Sequence, residues 1–172
     1  MNTGAGPSSE EFPATGVLFG IDYGTKRVGV SVCDMYQKYA SPLQNYQRQS
    51  VVADSRFFRR LAEDFRPVGL VVGLPIHLSG DESEKSREAR QYAEWLGTLL
   101  QLPWTFQDER FSSAQAESLL LQAEMTKKQR QARLDKLAAQ VLLQAYLDRR
   151  VHEQQDGRDS STTDPLGSWY ES

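Results

Sequence analysis

One cysteine, two histidines and no long apolar run exclude several classes of function before any motif is considered. Cys33 alone cannot build an internal disulfide framework or a cysteine-based zinc site. His77 and His152 are too few for a histidine-rich metal cluster. No stretch approaches the ~18 apolar residues of a membrane-spanning helix. The opening MNTGAGPSSEEFPATG lacks the charged-then-apolar order of a secretory signal. The expectation is a cytoplasmic protein without membrane contact. There is no internal repeat and no Gly-x-x-x-x-Gly-Lys-Ser/Thr phosphate loop.

What is present suits one folded domain. A chain of 172 residues, 39% hydrophobic and 25% charged, can bury roughly two-thirds of its unfolded surface. The net charge of −3 is unevenly spread. Residues 1–15 carry −2 and residues 151–172 carry −4, which leaves +3 for residues 16–150. Arg48, Arg56, Arg59 and Arg60 form one basic cluster; Lys127, Lys128, Arg130, Arg133 and Lys136 form another. Such clusters suit solvated helix faces as well as phosphate-contacting surfaces. Composition alone does not choose between them.

Both ends are rich in small and polar residues, so residues 1–15 are expected to be a flexible tail and 151–172 a polar, disordered one. Between them, residues 17–23 and 27–33 read as strands of a β-hairpin joined by Gly24-Thr25-Lys26. Residues 40–46 read as a third strand, with Pro42 marking an edge. A helix over 51–65 stops before Pro67, and 68–74 is an apolar strand of the kind buried on both faces. A helix over 82–100 and a strand over 103–108 follow. Ser112 with Gln115 predicts a short helix through about residue 122, and Thr126 with Gln129 predicts a long final one. The order β-β-β-α-β-α-β-α-α implies an α/β fold: a five-stranded mixed sheet with helices on both faces, over residues 16–150.

Three acids stand out. Asp22 ends the first strand, where a carboxylate is desolvated unless paired, hydrogen-bonded or bound to metal. Turn chemistry alone would also account for it. Glu109 ends the last strand; alternation sends Asp108 and Glu109 to opposite faces without saying which turns inward. Asp135 lies on the same helical stripe as Ala138, Ala139, Leu142 and Tyr146, an unusual place for an acid without a partner. A helix-edge ion pair is the ordinary alternative. The two alanines would let this helix approach the sheet closely.

The segments GIDYGTKRVGVSVCD, ASPLQNY, VVGLPIHLSGDES, DERFSSAQAE and LDKLAAQVLLQAYLD together resemble the YqgF family. That family is associated with pre-16S rRNA nuclease activity, was earlier described as Holliday-junction-resolvase-like, and has an RNase H-like fold. The resemblance spans about residues 16–149, and the family's acidic positions fall on Asp22, Glu109 and Asp135. It implies a metal-dependent nuclease hydrolysing phosphodiester bonds in the 5′ end of pre-16S rRNA, with the three acids as catalytic metal ligands. Two Mg²⁺ or Mn²⁺ ions about 3.5–4 Å apart would activate water and stabilise the leaving oxygen. Lys26, Arg27 and Arg110 are candidates for phosphate contacts. His77, in the loop after the fourth strand, could touch substrate or assist proton transfer. The implied partner is a structured RNA precursor or branched DNA, the protein acting as monomer or homodimer.

Two other classes stay open on the residues alone. Asp22-Tyr23-Gly24-Thr25 also fits the first phosphate loop of actin-like ATPases and sugar kinases, but those clamp nucleotide between two duplicated domains. A non-catalytic nucleic-acid-binding module would keep the fold without the reaction. Within nucleases, the alternative to RNA processing is resolution of Holliday junctions.

Overall fold

The computed structural model describes residues 12–75, 82–109 and 126–159. Strands β1 (Leu18–Tyr23), β2 (Arg27–Cys33) and β3 (Ala40–Gln47) form an antiparallel meander. Helix α1 (Val51–Phe65) crosses to β4 (Gly69–Leu74), and α2 (Glu84–Leu100) crosses to β5 (Trp104–Asp108). Helix α3 (Lys127–Asp159) closes the described chain. Strand order is β3-β2-β1-β4-β5, with β4 parallel to both β1 and β5. This five-stranded mixed sheet, covered by helices on both faces, is the α/β architecture expected above.

Local chemistry explains the boundaries. Ser50 and Ser83 cap α1 and α2, accepting from Ala53 N at 3.2 Å and Ser86 N at 3.1 Å. Arg66 and Gln101 end those helices in the left-handed region, at φ 49° and 55°. Thr126 and Gln129 bond reciprocally at 3.0 and 3.3 Å, the capping box expected from their spacing. Pro42 does lie in an edge strand. The short helix expected over 112–122 falls outside the described residues, as do His77 and Arg110.

Two cores share the sheet. Phe19, Ile21, Leu70 and Val72 point to one face and meet Phe58 of α1 and Tyr92, Ala93 and Leu96 of α2. Leu18 and Val71 point to the other and meet Leu143, Tyr146 and Leu147 of α3. Every residue of β4 is buried, as a strand covered on both faces requires. Cys33 is a small core residue whose sulfur accepts from Leu18 N at 3.2 Å. No helix among the described residues is long and apolar enough to cross a membrane.

The described structure extends beyond residues 16–150 at both ends. Phe12 is only 6% exposed and meets Tyr146 edge-on at 5.9 Å, so the N-terminal segment is anchored before residue 15. At the other end α3 runs on to Asp159, past the expected boundary at 150. Val151 to Gln155 is exposed helix: Glu, Gln and Arg are good helix formers, and a helix already nucleated can extend without burial.

Candidate active site

The site lies where β1, β4 and β5 end. Gly20 and Asp22 are two residues apart on β1 and so share a face. Gly20 marks that face as the one under α3: an added Cβ would lie 2.8 Å from Leu143 Cβ and 3.0 Å from the Ala139 carbonyl oxygen. Ser31, the β2 partner of Gly20, donates to the same carbonyl at 2.6 Å. Helix α3 is therefore seated on the sheet almost at backbone contact, through a glycine, a serine and an alanine. Asp22 lies half-buried one strand repeat beyond this contact.

Register resolves Asp108 against Glu109. Gly73 pairs with Gln107 and Leu74 with Asp108, and the Glu109 amide donates to Leu74 O at 3.3 Å. Glu109 thus shares the α3 face with Gly73 and Asp22, and Asp108 takes the other. The Glu109 side chain lies directly over Gly73, where an added Cβ would come within 2.7 Å of Oε1. Burial pushes the Glu109 carboxyl up from its ordinary value, and the charges of Asp22 and Asp108 add to this; the Lys85 ammonium opposes it. Asp22 and Glu109 are close enough to feel each other's charge.

Helix α3 runs antiparallel to β1: Ala139 and Leu143 meet Gly20, whereas Tyr146 and Leu147 share a core with Leu18 and Phe12. Position 135 is one helical turn before Ala139, about 6 Å along the axis toward the Asp22 end. The helix backbone thus carries the third acid to the end of the sheet where the other two sit; the Asp135 side chain is outside the described set. Among the described residues no three acids, histidines or cysteines gather at metal-holding distance. The donors that do meet, two partly desolvated carboxylates, are of the hard oxygen type that Mg²⁺ and Mn²⁺ take. A divalent cation would offset the burial and the neighbouring acidic charges that together raise Glu109, so the residues fit such an ion.

The turn after Asp22 is held by a residue that sequence placed in a basic cluster. Arg48 donates through Nη1 to Gly24 O, Thr25 O and Tyr23 Oη, each at 3.3 Å, and its backbone N–H donates to Lys26 O at 2.9 Å. Its guanidinium lies 5.3 Å from the Tyr23 and Tyr92 ring centres. Arg48 is therefore an inward clamp, and Lys26 and Arg27 stay exposed beside it. Sequence reasoning missed both Arg48 in this role and Lys85, an exposed first-turn residue of α2. The capped start of α2, with Ser86 Oγ bonded to Pro75 O, is what brings Lys85 toward Glu109.

The family model described as RuvX, Holliday junction resolvase, matches residues 16–149. The chain belongs to the RuvX family. This is the family to which the motifs pointed, and it makes the protein a member of a nuclease family. A relative from Rhodopirellula baltica, provisionally named pre-16S rRNA nuclease, is 42% identical over 148 residues, 86% of each chain. One from Paracoccus denitrificans with the same name is 40% identical, over 82% of this chain and 89% of its own. A Lactococcus lactis relative, again so named, is 38% identical over 76% of this chain and 93% of its own. The matched span, residues 16–149, includes the positions of Asp22, Glu109 and Asp135 and leaves Phe12 and the end of α3 outside.

Proposed function

We propose that the chain is a metal-dependent phosphodiesterase that cleaves a structured RNA precursor, pre-16S rRNA being the substrate its relatives' names point to and its 5′ end the part that the motif resemblance implies. The observation that carries this reading is the convergence of Asp22 and Glu109 on one face of the strand ends, with Gly73 leaving room for the Glu109 carboxylate. Asp22, Glu109 and Asp135 would hold the metal, two Mg²⁺ or Mn²⁺ ions by the chemistry of such carboxylate sites. Bound there, the metal supplies a water nucleophile at neutral pH and charge compensation for the phosphate. Lys26, Arg27 and Lys85 present cations at the same end and orient the phosphodiester by its oxygens. Arg48 fixes the turn that carries Lys26, so these contacts are set before substrate arrives.

The family description favours a second substrate, the four-way DNA junction. One experiment addresses both. Structured RNA and a four-way junction are incubated with Mg²⁺ or Mn²⁺ and either wild type or Asp22→Asn. The expected result is cleavage by wild type and a loss of more than about a hundredfold in the variant, above the 10–100-fold typical of residues that merely support a ligand. Equal rates would remove the carboxylate site from the mechanism. Intact substrates under every metal would favour a binding module without catalysis.

A further inference from the structure

The outer face of α1 takes no part in the site described so far. Asp54 and Phe58 are the buried residues of this helix. Val52, Arg56, Arg59, Arg60 and Glu63 recur at helical spacing as one outward stripe. The three arginines are exposed, and Val51 and Val52 are each 69% exposed. Together with Ser55 these residues line a shallow groove of about 640 Å³.

Three features set this face apart from an ordinary solvated one. Among the described residues none of its guanidinium groups lies within ion-pair distance of an acid, although Glu63 and Asp64 stand one turn on. Their order, base before acid, is the weaker one for a helix. The helix carries arginine and no lysine; guanidinium is weakly hydrated and matches phosphate oxygens in a fork. Two exposed valines open the helix where propensity would favour other residues. The location matters as well. Gln47 pairs with Arg27, and α1 begins four residues later, so its first turn stands at the same end of the sheet as exposed Lys26 and Arg27.

We infer that the outer face of α1, which packs on the sheet face opposite α3, is a phosphate track for nucleic acid that wraps around the strand ends from the scissile bond. Arg56, Arg59 and Arg60 contact phosphates, and Val51 and Val52 pack against sugar. From Arg56 to Arg60 the helix rises ~6 Å, about two phosphate spacings of one duplex strand, so the three side chains can each take one of three successive phosphates. The inference rests on the nucleic-acid reading above.

The test is binding of labelled structured RNA and of a four-way junction in EDTA, which blocks cleavage, across about 50–200 mM KCl. Wild type is compared with the triple variant Arg56→Gln/Arg59→Gln/Arg60→Gln and with Glu63→Gln/Asp64→Asn. Losing three phosphate contacts should flatten the slope of log affinity against log salt by about two to three, and weaken binding near 0.1 M by more than about tenfold. The acid-to-amide variant should bind more tightly. Equal slopes for wild type and the triple variant, with wild type binding well, overturn the track and leave the nuclease reading intact. An unchanged slope with loss of an oligomer in sedimentation overturns it too, assigning the face to self-association. If folded wild type binds neither substrate, the nucleic-acid reading fails and the track with it.

Discussion

Glu109 is held in a position that costs stability. Burial and the neighbouring charges of Asp22 and Asp108 raise its carboxyl above the ordinary value of 4.5, with Lys85 offsetting only part. A carboxyl raised on folding binds its proton more tightly in the native state. The metal-free protein is therefore stabilised fully below about pH 4.5, and that contribution is lost as pH rises through the native pKa. Glu109→Gln removes the charge that the fold resists. In EDTA its Tm should exceed that of wild type at pH 7.5 and converge with it near pH 4, while cleavage falls by about a hundredfold or more. A variant less stable than wild type at neutral pH would refute the electrostatic account. Strand alternation marked Glu109 and Asp108 as opposed but could not rank them, and only the family resemblance chose Glu109. Ranking needs the β4–β5 register and the face taken by α3, and both are tertiary facts. Lys85 was illegible for the same reason, since its relation to Glu109 spans two elements.

At the scale of elements, the sheet and its two crossovers were readable because the apolar residues repeat cleanly, at period two in β2 and at helical spacing in α1 and α2. Ala138 and Ala139 also announced a close helix approach. What they did not announce is the receiving surface: Gly20 accepts the helix and Ser31 bonds the Ala139 carbonyl. Edge strand β3 is tied to the same helix, because Gln140 donates to Ala40 O at 3.0 Å and Gln144 accepts from Ala40 N at 2.8 Å. These contacts fix α3 in height and rotation, and hence the level at which position 135 meets the strand ends. Gly20→Ala tests this. The new methyl would clash with Ser31 Oγ and Leu143, lifting the helix at a cost of about 1–3 kcal/mol in chemical denaturation. Cleavage should drop further than the folded fraction does, because a catalytic site tolerates little displacement. Full activity in the folded variant would separate the seating of α3 from the reaction.

Across the whole molecule, the end of the sheet proposed to be catalytic and the opposite end differ in what they gather. The carboxylates and the exposed cations gather where β1, β4 and β5 finish. At the other end a polar knot closes the fold: Pro13 O accepts from Arg150 Nη1 at 2.8 Å and Gln37 Nε2 at 3.2 Å, and Arg150 also donates to Gln37 Oε1 at 3.2 Å. Phe12 sits within this knot, in the α3-side core with Leu18, Val71 and Tyr146. Composition hid the anchor, because averaging over a segment rich in glycine, proline and serine conceals one aromatic that has a place to go. An aromatic so buried contributes on the scale of a core residue. Phe12→Ala should lower unfolding free energy by about 3 kcal/mol, with Tm falling by several degrees. Cleavage per folded molecule at 25 °C should stay at the wild-type rate, since this knot lies at the end of the sheet opposite Asp22 and Glu109. A cost under about 1 kcal/mol would return residues 12–15 to the tail. A lost cleavage rate in fully folded protein would instead show that the anchor communicates with the strand ends through α3 or β1, both of which run from one end of the sheet to the other.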